Sequence, residues 1–192
     1  MERGRLEAFS DGVMAIIITI MVLELAPPKG TGIGELVELW PVFFAYALSF
    51  LHVGIYWSNH HHLFQAVKQV DGRVLWANLF LLFWLSLLPF ATAWMGENGF
   101  PPVPVAIYGL VLLLCAVAYY LLWLALKRVQ PEDAPLTRAI GTARKERLSL
   151  LVYTVATPMA LLVPIAAIAG YIAVSLAWFL PDPRIEHTLD VA

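Results

Sequence analysis

From Val13 to Leu23 the only polar side chain is Thr19. A helix on the surface of a water-soluble protein turns a wet position outward every third or fourth residue, and this stretch does not. A dense polar foot, RLEAFSD from Arg5 to Asp11, precedes it, and Pro27-Pro28 closes it because proline cannot continue a helix. The segment reads as a membrane helix standing on a polar base. The rest of the chain repeats the pattern: 60% of its 192 residues are hydrophobic, gathered in long blocks, and only 14% are charged. A soluble domain carries about 25%. Acidic residues flank the first block and no Ala-x-Ala-like cleavage site follows it, so it is not expected to be a signal peptide.

The apolar blocks place spans at about 10–26, 39–58, 74–95 and 105–126. The last block, 148–180, would rise about 50 Å as one helix, against a hydrocarbon core of about 30 Å. Splitting it near Pro164 gives 148–163 and 165–180, short spans that a thinned bilayer or surrounding helices tolerate. The expectation is an all-α polytopic membrane protein, a single domain over 1–192 with six transmembrane helices. With the N-terminus inside, eleven of the twelve Lys and Arg residues fall in inside segments: Arg3, Arg5, Lys68, Arg73, Lys127, Arg128, Arg138, Arg144, Lys145, Arg147 and Arg184. Only Lys29 is outside, beside Glu35, Glu38 and Glu97. This bias predicts a cell inner (plasma) membrane protein with both termini cytoplasmic, although a five-span arrangement would move only Arg184.

Trp40, Trp57, Trp76, Trp94, Trp123 and Trp178 lie near span ends, where interfacial rings belong. The segment from Lys127 to Arg147 reads as a solvated inner loop, basic enough to touch anionic lipid headgroups. The closing PDPRIEHTLDVA reads as a short, loosely ordered tail. Cys115, the single cysteine, sits inside an apolar run as a small packing residue and forms no internal disulfide.

Few polar groups remain to carry function. No span holds a Lys or Arg at its middle, and no acidic pair faces another at mid-depth, which argues against an ion-coupled pump. On the first helix, at about 100° per residue, Phe9, Gly12, Ile16, Thr19, Ile20 and Leu23 form one stripe, with Arg5 at its foot. Ser10 and Asp11 leave that stripe and point at neighbouring segments. The tail of span two offers partners, because Trp57, His60, His61 and Phe64 share a face there. Asp11 and Ser10 can bond His60, His61 or Trp57; a proton-sensitive role for these histidines is the second reading. A metal site is not expected, since adjacent histidines point about 100° apart on a helix. Glu24, near the outer end, is either a cation-attracting group at a mouth or an interfacial carboxylate. Asn78, Ser86, Thr154 and Thr157 read as packing and hydrogen-bonding residues.

Arg5-x-x-x-Phe9-Ser10-Asp11, followed by Gly12-Val13, Ala15-Ile16 and Thr19, resembles the first helix of bacterial members of the transmembrane protein 175 family of endosomal and lysosomal potassium channels. Trp57-x-x-His60-His61-x-x-Phe64 resembles the second helix of that family. The resemblance implies one six-helix repeat per chain, assembly as a homotetramer, and a central pore lined by the first helix without a re-entrant carbonyl filter loop. It implies a constriction at Ile16, Ile20 and Leu23, with Thr19 as the candidate for selectivity. Arg5, Phe9, Ser10 and Asp11 would hold the first helix against Trp57 and His60 or His61. The function so implied is passive conduction of potassium, selective or weakly selective, with no cofactor beyond the permeant ion. Expected partners are further copies of the chain and membrane lipid, with no nucleic acid and no small-molecule substrate. A secondary transporter of a small cation or solute is the alternative. A membrane-embedded hydrolase lacks a second catalytic group beside the histidines.

Overall fold

The computed structural model describes residues 3–65, 67, 70–129 and 144–179, and among them every regular element is a helix. In chain order these are α1 (Arg3–Leu23), α2 (Ile33–Glu38), α3 (Trp40–Gln65), α4 (Gly72–Leu85), α5 (Leu88–Glu97), α6 (Pro102–Val129), α7 (Arg144–Met159) and α8 (Pro164–Phe179). Most of the loop over 127–147 and the closing tail, with Lys68, Arg138 and Arg184, lie outside the described residues.

Among the described residues four stretches are long and apolar enough to cross a membrane: Arg3–Leu23, Trp40–Gln65, Gly72–Glu97 and Pro102–Val129. The third is α4 and α5 in series. Pro89 has no N–H to offer the carbonyl four residues back, and the chain adapts with a turn at Ser86 and Leu87 before helix resumes. The Ser86 hydroxyl donates to the Phe83 carbonyl at 2.7 Å, bracing the turn against the end of α4. At the start of α4, Asp71 Oδ1 accepts from the amides of Arg73 and Val74, both at 2.9 Å, which satisfies two end donors. The final apolar block divides into α7 and α8, each of 16 residues, at a turn over residues 160–163. Pro164 opens α8, where its missing amide costs nothing.

Helix α6 is the spine of the subunit. It packs against α4, α5, α7 and α8, and buries side chains around much of its circumference, from Val105 and Tyr108 to Leu122 and Leu126. Cys115 is fully buried there. Small residues bring helices close: a Cβ added at Gly109 would run into the Tyr171 hydroxyl of α8, and one at Gly96 would press on Ala45 of α3. Helix α1 sits at the edge of this bundle, against α3, α4 and α5. It begins at Arg3, seven residues before the expected span, because its polar foot is helical as well.

The tryptophans divide. Trp40, Trp57, Trp76 and Trp94 are exposed, as interfacial rings are, whereas Trp123 is buried and Trp178 packs inward, its Nε1 donating to Ser149 Oγ at 2.8 Å. Large apolar side chains cover the outside of the subunit, including Phe83, Phe90, Leu151 and Leu176. In water that surface would drive aggregation; against lipid tails it is the compatible one.

Gly109→Leu is expected to force α6 and α8 apart at a cost of roughly 1–3 kcal/mol. The check is a lowered thermal unfolding midpoint of the detergent-solubilised protein; an unchanged midpoint would contradict this packing.

Candidate functional site at the first helix

Helix α1 buries Leu6, Ser10, Met14, Ile17 and Met21, spaced four, four, three and four residues apart, as one face of a helix requires. The face that remains uncovered carries Phe9, Gly12, Ile16, Thr19, Ile20 and Leu23. Ile16 is 59% exposed, Ile20 40% and Leu23 81%. Thr19 is exposed, and its hydroxyl donates to the Ile16 carbonyl at 2.8 Å. With its single proton committed to the helix, the Thr19 oxygen presents lone pairs outward.

What fixes this rotation is a buried polar bridge. His60 Nε2–H of α3 donates to Asn78 Oδ1 of α4 at 2.8 Å, and Asn78 Nδ2 donates to Ser10 Oγ at 2.9 Å. The Ser10 hydroxyl then donates to the Leu6 carbonyl at 2.8 Å. All three side chains are essentially inaccessible, and each donor finds an acceptor, as burial demands. Ser10 therefore reaches His60 through Asn78. Beside the bridge, at the subunit surface, Trp57 Nε1 donates to Asp11 Oδ1 at 3.0 Å. His61 takes no part in bonding Asp11: its ring stacks on Trp57 at 6.1 Å, and Gln65 Nε2 donates to its Nε2 at 2.8 Å. Phe64 is buried with its ring 4.5 Å from that of His60.

The cation that ties the foot of α1 to α3 is Arg3. Its Nη1 donates to the carbonyls of Gln65 at 3.3 Å and Val67 at 3.1 Å, capping the end of α3, and its Nε pairs with Glu7 at 3.3 Å. Arg5 is exposed and makes no ion pair or hydrogen bond with the described residues. At the other end of α1, Glu24 and Glu97 line one cavity of about 110 Å³ with Leu39, Val42 and Phe43.

A second polar cluster escaped the sequence reading. His52, in the middle of α3, is buried with Ser49, Thr92, Tyr108, Tyr153 and Ser175. Its Nδ1–H donates to the Leu48 carbonyl at 2.8 Å, and Ser175 Oγ lies 3.0 Å from Nε2. Ser49 Oγ is 2.6 Å from Thr92 Oγ1 and 3.1 Å from the Tyr108 hydroxyl. The cluster ties α3 to α5, α6 and α8 beside a cavity of about 30 Å³, room for at least one water. The available signal was the spacing of Ser49, His52 and Tyr56 on one face of an otherwise apolar helix. Among the described residues no three His, Cys, Asp or Glu side chains come together as metal ligands would.

Residues 5–89, which hold the Arg5–Asp11 foot, the Trp57–Phe64 face and Asn78, match the family model "Endosomal/lysosomal potassium channel TMEM175". Over 189 residues, covering 98% of each chain, the sequence is 51% identical to a protein of Chryseobacterium sp. (strain P1-3) named as a potassium channel. The chain belongs to the TMEM175 family. A Streptomyces collinus member, also named as a potassium channel, is 40% identical over 151 residues, 72% of this chain and 73% of its own. The fold is similar to the crystal structure of a homologue, from Chamaesiphon minutus, of the lysosomal potassium-selective channel TMEM175. The TM-score is 0.81 at 29% identity, covering 92% of this chain and 96% of that one.

Asn78→Leu is expected to strand the buried His60 Nε2–H, at about 1–3 kcal/mol, and to remove the donor that Ser10 Oγ accepts from, while the Ser10 hydroxyl keeps its bond to the Leu6 carbonyl. Thermal unfolding of the purified protein measures the loss; Trp57→Phe, which removes one exposed hydrogen bond, should lower the midpoint much less.

Proposed function

We propose that the chain is a passive, potassium-permeable cation channel of the cell membrane, several copies of which surround a central pore lined by α1. The observation that carries this reading is the uncovered face of α1. Five spaced residues bury one side of the helix, while Ile16, Ile20 and Leu23 on another side stay exposed, at 59%, 40% and 81%. One such face cannot enclose a path, so several copies must contribute, and a homotetramer is the assembly proposed. The naming of relatives as potassium channels supports the choice of ion. The family is one of channels rather than enzymes.

Rings of Ile16, Ile20 and Leu23 would form an apolar neck. Stripping water from an ion there without replacement is prohibitive, so conduction requires a neck wide enough to keep the ion partly hydrated. Copies of the Thr19 oxygen between the Ile16 and Ile20 rings would supply ligands that replace part of the lost water. Asp11, Ser10, Trp57 and His60 act as the clasp that sets the helix angle, and Arg5 lies at the inner mouth. Glu24, beside Glu97, gives the outer end a negative potential that concentrates cations. The basic ends of α4, α6 and α7, with the foot of α1, lie on the cytoplasmic side, and residues 148–163 and 165–180 complete six spans.

Reconstituted protein with potassium on one side of a planar bilayer and sodium on the other should show discrete current steps and a reversal potential displaced toward that of potassium. A carrier gives no such steps. Ile16→Asn and Ile20→Asn should raise conductance several-fold by wetting the neck; if neither changes current or selectivity, the pore assignment fails. Thr19→Ala should pull the reversal potential toward zero, and an unaltered value would remove Thr19 from the selectivity role.

A further inference from the structure

The water-sized space beside His52 widens into a cleft of about 450 Å³ once its open mouth is counted. Cavities of about 300–1,000 Å³ are the usual seats of small molecules. The cleft lies between α3, α6, α7 and α8, and among the described residues none from α1 lines it. Buried His52, Tyr153 and Ser175 form its closed end. Asn59, Glu146 and Trp178 form its mouth, toward the ends of α3 and α8 and the start of α7.

The polar groups along it are bonded loosely. The Tyr153 hydroxyl is 3.4 Å from His52 Nε2, and the Tyr119 hydroxyl 3.4 Å from the Asn59 carbonyl. A good hydroxyl bond reaches about 3.0 Å. Ser175 Oγ has one proton for two acceptors, His52 Nε2 at 3.0 Å and the Tyr171 carbonyl at 3.1 Å. Tyr56 lines the cleft and makes no hydrogen bond with the described residues. Bonding capacity is left over for a guest.

The kind of capacity decides the guest. With its Nδ1–H on the Leu48 carbonyl, His52 offers a lone pair at Nε2. Asn59, whose Nδ2 donates to the Ile55 carbonyl, offers Oδ1. Among the described residues no lysine or arginine lines the cleft, and the one carboxylate on its wall is Glu146. The rings of Tyr56, Tyr119, Tyr153 and Trp178 complete the walls, and ring faces attract cations. Trp178 already holds one: Lys145 Nζ lies 5.9 Å from its ring centroid. His52 is seven residues from Asn59 along α3, about 10 Å deeper, so a charged group belongs at the mouth and an apolar body below it.

We propose that the cleft binds a small organic cation, an ammonium group on a short apolar or aromatic body. The ammonium sits between Glu146 and the ring of Trp178 with Asn59 Oδ1 as acceptor, and the body reaches inward past Ile55 and Ala116. Each subunit carries its own site inside the bundle, away from the uncovered face of α1, so it stands or falls independently of the channel reading.

The test compares benzylammonium, benzyl alcohol and benzoate, which are similar in size and differ in charge. Their binding is measured by calorimetry on the full chain in zwitterionic nanodiscs, with empty discs subtracted. Benzylammonium should bind saturably and about tenfold more tightly than benzyl alcohol, with no saturable heat from benzoate. Ala116→Phe and Val174→Phe, each placing a ring in the cleft, should abolish binding. Glu146→Gln should weaken benzylammonium several-fold and leave benzyl alcohol unchanged. Equal affinity for the amine and the alcohol overturns the cationic assignment. Amine binding that survives both filling variants, in protein of wild-type helix content by circular dichroism, overturns the site. So does the absence of saturable heat from benzylammonium, which would make the cleft a seat for water only.

Discussion

The bridge from His60 through Asn78 to Ser10 determines how α1 is rotated about its own axis, and everything α1 can do follows from that angle. A helix that is apolar around most of its circumference has little reason to prefer one rotation, since any side of it packs acceptably on any other apolar surface. A buried hydroxyl removes the freedom. Ser10 must meet a donor, and among the described residues the Asn78 amide supplies it, itself held by the His60 ring. Turning α1 by one residue would break the buried Asn78–Ser10 hydrogen bond in a medium where water cannot replace it. Three modest polar side chains therefore specify which apolar residues are covered and which are left for other surfaces.

The remaining contacts at the foot add strength without adding this specificity. Arg3 caps the last carbonyls of α3 and pairs with Glu7, and Trp57 bonds Asp11 at the surface. Exposed pairs of this kind contribute little to stability. Their value is positional: they anchor the foot of α1 against α3, whose own middle is tied to α5, α6 and α8 through the His52 cluster. The subunit thus has two polar knots in an apolar bundle, one setting the angle of α1 and the other fastening α3 to the spine.

Much of this was legible in the residues. The stripe from Phe9 to Leu23 follows from helical period alone, and so do the departures of Ser10 and Asp11 from it. The break near Pro164 follows from length and from proline chemistry, and the turn over residues 160–163 lies there. What was not legible depended on depth and on partners distant in the chain. Asn78 looked like one more packing amide, because its two partners are 68 and 18 residues away. The place of His52 could not be read because its hydroxyl partners come from three other helices. Trp123 sits near the end of its helix like an interfacial ring, yet α6 runs through the middle of the bundle and buries it. Arg5 drew attention through a motif, while Arg3, in no motif, makes the bonds.

The short pair α7 and α8 has a mechanical consequence. Each helix of 16 residues is about 24 Å long, whereas α6, with 28, spans about 42 Å. The turn that joins the short pair and the first residues of α8 are apolar and exposed: Leu162 is 84% exposed and Ile165 80%. A bilayer wrapped around the subunit meets a low apolar wall on that flank and a tall one along the spine, so its leaflet must dip toward the turn. Bending lipid costs fractions of a kcal/mol for each ångström of mismatch. A membrane of different thickness therefore shifts that cost unevenly around the rim of this protein.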